Sequence, residues 1–225
     1  MDSHHADILI IQPTTAVPPF RSPSMHIELT EFLRCPNGHG PRDYCVLMPE
    51  TIVERQVRTG HIACPRCHAS YPIIDGVVDF RSAENHGVGA VVPDATALPA
   101  ADEVRALLGV VGPGGYVVAL GSACPLVVAL SELLPGVHFV LVNPPAAVAS
   151  SIHASSVLSR GQIPLAPAMA RGVLIGRDHV HPPWLDESAR LLLRGLRVVV
   201  LGEPEDIRGV KHLASGQGMW VGERS

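Results

Sequence analysis

Cys64-Pro65-Arg66-Cys67 constrains this chain more than any other stretch. A CxxC knuckle brings two thiolates together from a tight turn, as a tetrahedral zinc ion requires. A redox CxxC is the rival reading, but it should open a helix after a strand, whereas Ala69 to Phe80 reads as extended with a turn at Asp75-Gly76. Upstream, Cys35-Pro36-Asn37-Gly38-His39 supplies one more thiolate, with a glycine where a second cysteine would stand. His39 and Cys45 both remain open as the fourth ligand beside Cys35, Cys64 and Cys67. Spacing favours His39, which can reach back across a turn; Cys45 otherwise reads as a buried thiol packed beside Val46 and Leu47. His68 reads as an exposed neighbour. A unit this small depends on its ion, because structural zinc supplies much of the folding free energy.

A chain of 225 residues can bury one large core, or a modest α/β domain plus a metal-stapled module. The second organisation is expected: a flexible tail at 1–25, a zinc ribbon at 26–80, a linker at 81–99 whose composition turns to Ser, Ala, Asn, Gly and Pro, and a domain at 100–225. Aromatic residues are only 4% while hydrophobic residues are 47%, so the domain core must be built from Val, Leu, Ala and Ile, as in buried parallel strands. The net charge of -4 gives no basic field toward nucleic acid. The five cysteines, with no basic-then-apolar leader at the start, lead to the expectation of a reducing cytoplasm. No apolar run approaches the roughly 20 residues that cross a bilayer.

Along the chain, Ile8–Ile11 reads as a strand within a Pro-rich tail. From Ala100 a βα rhythm sets in: helix to Leu108, strand Tyr116–Leu120, helix Pro125–Leu134, strand Val137–Val142, then a weaker helix over Ala146–Leu158. Strand Gly172–Ile175, helix Leu185–Leu193 and strand Arg197–Leu201 follow, and Val210–Leu213 with Gly218–Val221 read as a closing hairpin. Strands joined by helical crossovers imply a parallel sheet covered on both faces.

The segments Leu29-Thr30-Glu31-Phe32-Leu33-Arg34-Cys35-Pro36, Ile62-Ala63-Cys64-Pro65-Arg66-Cys67 and Tyr71-Pro72-Ile73-Ile74-Asp75-Gly76-Val77-Val78 resemble the zinc-ribbon family of small activator subunits of tRNA and protein methyltransferases. The resemblance implies bound Zn2+ and a ribbon that covers an apolar methyltransferase edge by adding a strand to it.

Val117-Val118-Ala119-Leu120-Gly121-Ser122-Ala123-Cys124-Pro125 resembles the first strand and loop of class I S-adenosylmethionine-dependent methyltransferases. That resemblance implies cofactor contacts at Gly121, Ala123 and Asn143. Each position is vestigial by comparison with the family pattern. Gly121 fits the first loop glycine, but Ala123 and Pro125 narrow the later loop, Ala119 stands where an acid is expected, and Asn143 replaces the ribose-binding carboxylate. The stretch between Asn143 and Val173 is too short for a third strand with two helices, so a pocket wall is expected to be missing. Asn143-Pro144-Pro145 reads as a turn and helix start. Asp178, His179 and His181 follow the fourth strand, where family members place substrate-facing groups, but they also read as a solvated loop before Pro182-Pro183. Cys124 reads as a small buried thiol.

The fold class expected is therefore α/β: a small β zinc ribbon followed by a shortened Rossmann-like, class I methyltransferase-like parallel sheet. An interaction or regulatory protein is the function expected, with no catalytic residue, a doubtful S-adenosylmethionine site, and a protein partner or self-association through the ribbon. An active methyltransferase and a nucleic-acid-binding ribbon using Arg55, Arg58, His61 and Arg66 are the alternatives; no aromatic residues interleave with that basic group for base stacking.

Overall fold

A computed structural model of the chain describes residues 24–40, 44–81, 97–145, 148 and 154–225. Nearly all of the expected tail and linker lie outside the described residues, as does most of the segment after Pro145.

The ribbon is built on hairpins. Strand β1 (Met25–His26) runs into a 3-10 turn at Ile27–Phe32, followed by β2 (Val46–Val53), β3 (Gln56–Ala63), β4 (Ser70–Ile74) and β5 (Val77–Asp79). Glu54-Arg55 and Asp75-Gly76 turn the β2–β3 and β4–β5 hairpins with positive φ at both central residues. That is the turn whose twist matches the strands it joins. The rest comprises α1 (Ala101–Leu108), β6 (Tyr116–Leu120), α2 (Leu126–Leu133), β7 (His138–Val142), β8 (Ala154–Leu158), β9 (Ala170–Ile175), α3 (Trp184–Leu191), β10 (Leu192–Val200), β11 (Val210–Gly216) and β12 (Met219–Arg224).

All twelve strands belong to one sheet of order β1-β3-β4-β5-β8-β7-β6-β9-β10-β12-β11, with β2 on the other side of β3. The middle of that order, β8-β7-β6-β9-β10, is the doubly wound arrangement of third, second, first, fourth and fifth strands. Those five pair in parallel, and the β11–β12 hairpin closes the sheet antiparallel. The fold is mixed α/β.

The seam between the two parts is a parallel ladder in which Val77, Val78 and Asp79 of β5 face Ser156, Val157 and Leu158 of β8. Val78 and Val157 are fully buried.

Alternation along the central strands sends side chains to opposite faces. Tyr116, Val118 and Leu120 join Val140, Val142, Val173 and Ile175 on one face, in the same cluster as the ribbon residues Leu29, Leu33, Ile62, Ile73 and Val78. Val117 and Ala119 face the other way, against Val104, Leu108, Leu126 and Leu130 of α1 and α2. One hydrophobic core therefore runs from the ribbon into the domain.

Two expectations are corrected. Residues 154–158, expected to end a helix, form strand β8, and the third strand expected to be absent is present. The sequence Ala-Ser-Ser-Val-Leu has little strand propensity of its own; β7 on one side and β5 on the other fix it as extended. No helix lies between β8 and β9 among the described residues. The segment leading to Cys35 covers that region instead: Arg34 N–H donates to the Pro164 carbonyl at 2.9 Å, Ala166 N–H donates to the Phe32 carbonyl at 2.7 Å, and Leu33 bridges Leu165.

Candidate functional site

The ribbon brings Cys35, His39, Cys64 and Cys67 together, with their ligand atoms all within 4.8 Å of one another. Cys64 and Cys67 come from the knuckle between β3 and β4, where His68 N–H donates to the Cys64 carbonyl at 2.9 Å and Cys64 N–H to the Ala69 carbonyl at 2.8 Å. A strand follows the knuckle, as the zinc reading requires and the redox reading does not. Gly38 adopts φ of +74°, which carries the chain back so that His39 faces Cys35. His68 is exposed and outside the group.

The geometry fits a tetrahedral ion. Cys35 Sγ and Cys67 Sγ are 3.7 Å apart, close to the roughly 3.8 Å edge of a tetrahedron with Zn–S bonds of about 2.3 Å. His39 Nε2 is buried and has no hydrogen-bond partner, an orphan that a metal bond would satisfy. Tyr71 Oη lies 3.3 Å from Cys35 Sγ, and Asn37 Nδ2 donates to Cys67 Sγ at 3.4 Å, so both thiolates also have neighbours that orient them. His39, the backbone of Ala69 and Asn37 pull the Cys67 thiol down to about 6, which favours the ligating form at neutral pH. Burial pushes Cys45 up to about 12, and Cys45 is not in the group. His39→Ala should therefore weaken zinc affinity at least about tenfold, while Cys45→Ala leaves it near wild type. Competition against a chromogenic chelator reads this; the reverse order would give the role to Cys45.

The second feature lies beyond the carboxyl ends of β6 and β9, where the strand order reverses and an open α/β sheet forms its crevice. Gly121, Ser122 and Ala123 form a 3-10 turn there. Asp178 closes over it, accepting hydrogen bonds from Ser122 N–H and Ser122 Oγ, each at 2.8 Å. His179 is buried, with Nδ1 3.2 Å from Asp178 Oδ2 and its ring 4.8 Å from Trp184. A Cβ built at Gly121 would overlap His179 Nδ1 and both Asp178 carboxylate oxygens. The space that this glycine provides is thus filled by the chain's own side chains.

Asn143 is also engaged: its Oδ1 accepts from Ser159 N–H at 2.9 Å and its Nδ2 lies 3.3 Å from His179 Nε2. Asn143, Asp178, His179 and Ser122 make one network, which the sequence did not disclose. His181 is exposed and outside it. Cys124 is fully buried with its thiol donating to the Ala119 carbonyl at 3.4 Å.

Burial opposes ionisation of Asp178, but His179 and the two Ser122 donors outweigh it and hold the carboxyl down at about 2. A depressed carboxyl stabilises the fold above its unfolded value near 4, and that contribution fades as pH falls toward 2. Asp178→Asn should cost about 1 kcal/mol at pH 7, allowing for the solvent that reaches this half-buried group. Urea unfolding at pH 7 and pH 3 should show the deficit shrinking in acid; a deficit independent of pH would place the cost in packing.

The ribbon's segments also match at family level. Residues 26–76 match the Trm112p-like protein family. The matched part ends within the β4–β5 turn, and the described residues beyond it complete the mixed α/β fold. Among curated proteins none matches the chain. Among solved structures, geranyl diphosphate C-methyltransferase from Streptomyces coelicolor A3(2) is 19% identical over 44% of this chain and 41% of that chain, with a TM-score of 0.38. A chain of the complex between the Haloferax volcanii Trm112 methyltransferase activator and a proposed methyltransferase is 18% identical over 43% of this chain and 50% of that one, at 0.36. The antibiotic-resistance methyltransferase Kmr is 15% identical over 59% of this chain and 96% of Kmr, at 0.40. This chain thus spans less than two thirds of the Streptomyces and Haloferax chains. Similarity at these levels assigns no role to any residue here.

Proposed function

We propose that the protein is a metal-stabilised interaction or regulatory protein, in which a Trm112p-like ribbon and a methyltransferase-like scaffold are held together in one chain and the scaffold has lost its cofactor site. One observation carries this reading: Asp178 and His179 fill the crevice over Gly121, so the loop amide of Ser122 that faces the crevice is already hydrogen-bonded within the protein. A cofactor would have to displace a buried histidine and a charged hydrogen-bond acceptor, each worth roughly 1 to 3 kcal/mol. Asn143 at the ribose position is committed to Ser159. Ala123 and Pro125 add to the obstruction.

In this reading zinc is the ribbon's ion, held by Cys35, His39, Cys64 and Cys67, and it serves the fold rather than a reaction. The domain limits are those of the sequence, with the ribbon at 26–80 and the scaffold at 100–225. A protein partner is the expected ligand, a reading supported by the match of residues 26–76 to the Trm112p-like family. The nucleic-acid reading is weakened by the surroundings of its basic group: Arg55 pairs with Glu28, and His61 lies 3.7 Å from Glu50. Among the described residues no helix is long and apolar enough to cross a membrane.

Isothermal titration of the purified full chain with S-adenosylmethionine tests the proposal. The expected dissociation constant is millimolar or weaker. A value below about 10 micromolar, which corresponds to roughly 7 kcal/mol of binding free energy, would promote the active methyltransferase in its place.

A further inference from the structure

A second group of metal-ligating side chains lies at the joint between the ribbon and the domain. His26 closes β1, Glu28 is the second residue of the 3-10 turn that follows, and His138 begins β7; their ligand atoms lie within 4.8 Å of one another. More than a hundred positions separate the first two residues from the third, so only the tertiary fold unites them.

Each member is positioned by its backbone. His26 N–H donates to Ser155 Oγ on β8 at 3.0 Å. Ile27 N–H donates to the Arg55 carbonyl at 3.0 Å, which anchors the segment bearing Glu28. His138 N–H donates to the Gly115 carbonyl at 3.0 Å. The two imidazole centroids are 4.7 Å apart with the rings tilted by 44°, and the Tyr116 ring is centred 5.7 Å from His138.

Two details point to an ion rather than to packing alone. His26 Nδ1 is buried and makes no hydrogen bond, although Glu28 Oε2 stands 3.5 Å away. That separation is close to the roughly 3.3 Å edge of a tetrahedron with metal–nitrogen and metal–oxygen bonds of about 2.0 to 2.2 Å. His39 Nε2 in the ribbon is likewise an orphaned imidazole nitrogen within a group of three or more ligand atoms; His179 Nδ1, orphaned beside Asp178, belongs to no such group among the described residues. Arg55 holds the other carboxylate oxygen, Oε1, which leaves Oε2 turned toward His26. An outer partner that orients a ligating carboxylate is a usual part of a metal site.

We propose that His26, Glu28 and His138 form a second metal site, for a divalent first-row transition ion such as zinc, which clamps the start of the ribbon to the start of β7. Two imidazoles and one carboxylate suit zinc, cobalt or nickel better than magnesium or calcium, which prefer all-oxygen shells. Glu28 is exposed, so the fourth position opens to solvent.

The test uses the full chain with its ribbon ion in place, dialysed against a weak chelator and then titrated with cobalt(II). The wild type should take up a second equivalent whose spectrum has visible d–d bands but no added thiolate charge-transfer band, and its thermal midpoint should rise. Glu28→Gln, at an exposed position, and His138→Ala should each weaken that uptake at least about tenfold, on the scale of a lost outer partner or more, while the ribbon equivalent is retained. No second equivalent in the wild type overturns the site, and uptake unchanged in both variants overturns it by assigning the bound ion to other histidines.

Discussion

Replacing Cys64 by Ser should abolish metal binding by the Cys35, His39, Cys64 and Cys67 group and unfold the ribbon. Cys64 is almost completely buried, on the cluster that also holds Cys35, Cys45, Tyr71 and Phe80. Structural zinc in small modules contributes on the order of 10 kcal/mol at neutral pH, comparable to the typical stability of a whole domain. A serine hydroxyl replaces a thiolate poorly at a soft tetrahedral site, and it leaves a polar atom in an apolar setting. Metal analysis should show no ribbon ion, and circular dichroism should show loss of strand signal. The damage should spread past the ribbon, because Leu33 and Val78 belong to the same core as Val118, Val140 and Val173. Unchanged zinc content in the Cys64→Ser protein would refute the assignment.

Val78→Asp should have the second largest effect, with the metal site left intact. Val78 has no exposure and sits at the centre of the β5–β8 ladder opposite Val157. No cation lies in its register to pair with a new carboxylate, so burying that charge should cost roughly 4 kcal/mol or more. Ile74→Asp provides the control, since Ile74 is 62% exposed on the adjacent strand β4 and a change there should stay within about 0.5 kcal/mol. Urea midpoints of the two variants decide the matter. Equal midpoints would mean that the seam contributes little to stability.

Much of the fold was legible because the relevant segments carry their own signal. Val117–Leu120, Val173–Ile175 and Val198–Val200 are apolar runs buried on both faces, and such runs read as interior parallel strands without knowledge of their neighbours. The ribbon was legible for another reason: thiolates at knuckle spacing have few alternative uses in a chain of this kind. Strand β8 was not legible. Its Ser155 and Ser156 are buried only because β5 and β7 flank them, and that environment is invisible to a local pattern.

The crevice network escaped the sequence for a related reason. Asp178 and His179 stand in a Pro-rich polar stretch that reads as solvated loop, and nothing local indicates that they fold back over Gly121. A usable signal was present at Gly121 and Gly176, which end β6 and β9 side by side: a Cβ at Gly176 would lie 2.6 Å from Ala123 N. Two glycines at adjacent strand ends mark a place where something must approach closely. What approaches could not be read from them.

The parallel pairing of β5 with β8 bears on competition between copies and partners. An edge strand presents unpaired backbone groups that invite another strand, and here the occupant of the β8 edge is tethered to the same polypeptide. A tether of this kind holds its occupant at an effective concentration in the millimolar range. A free activator ribbon offered from solution at micromolar concentration would therefore face an excess of about a thousandfold at that edge.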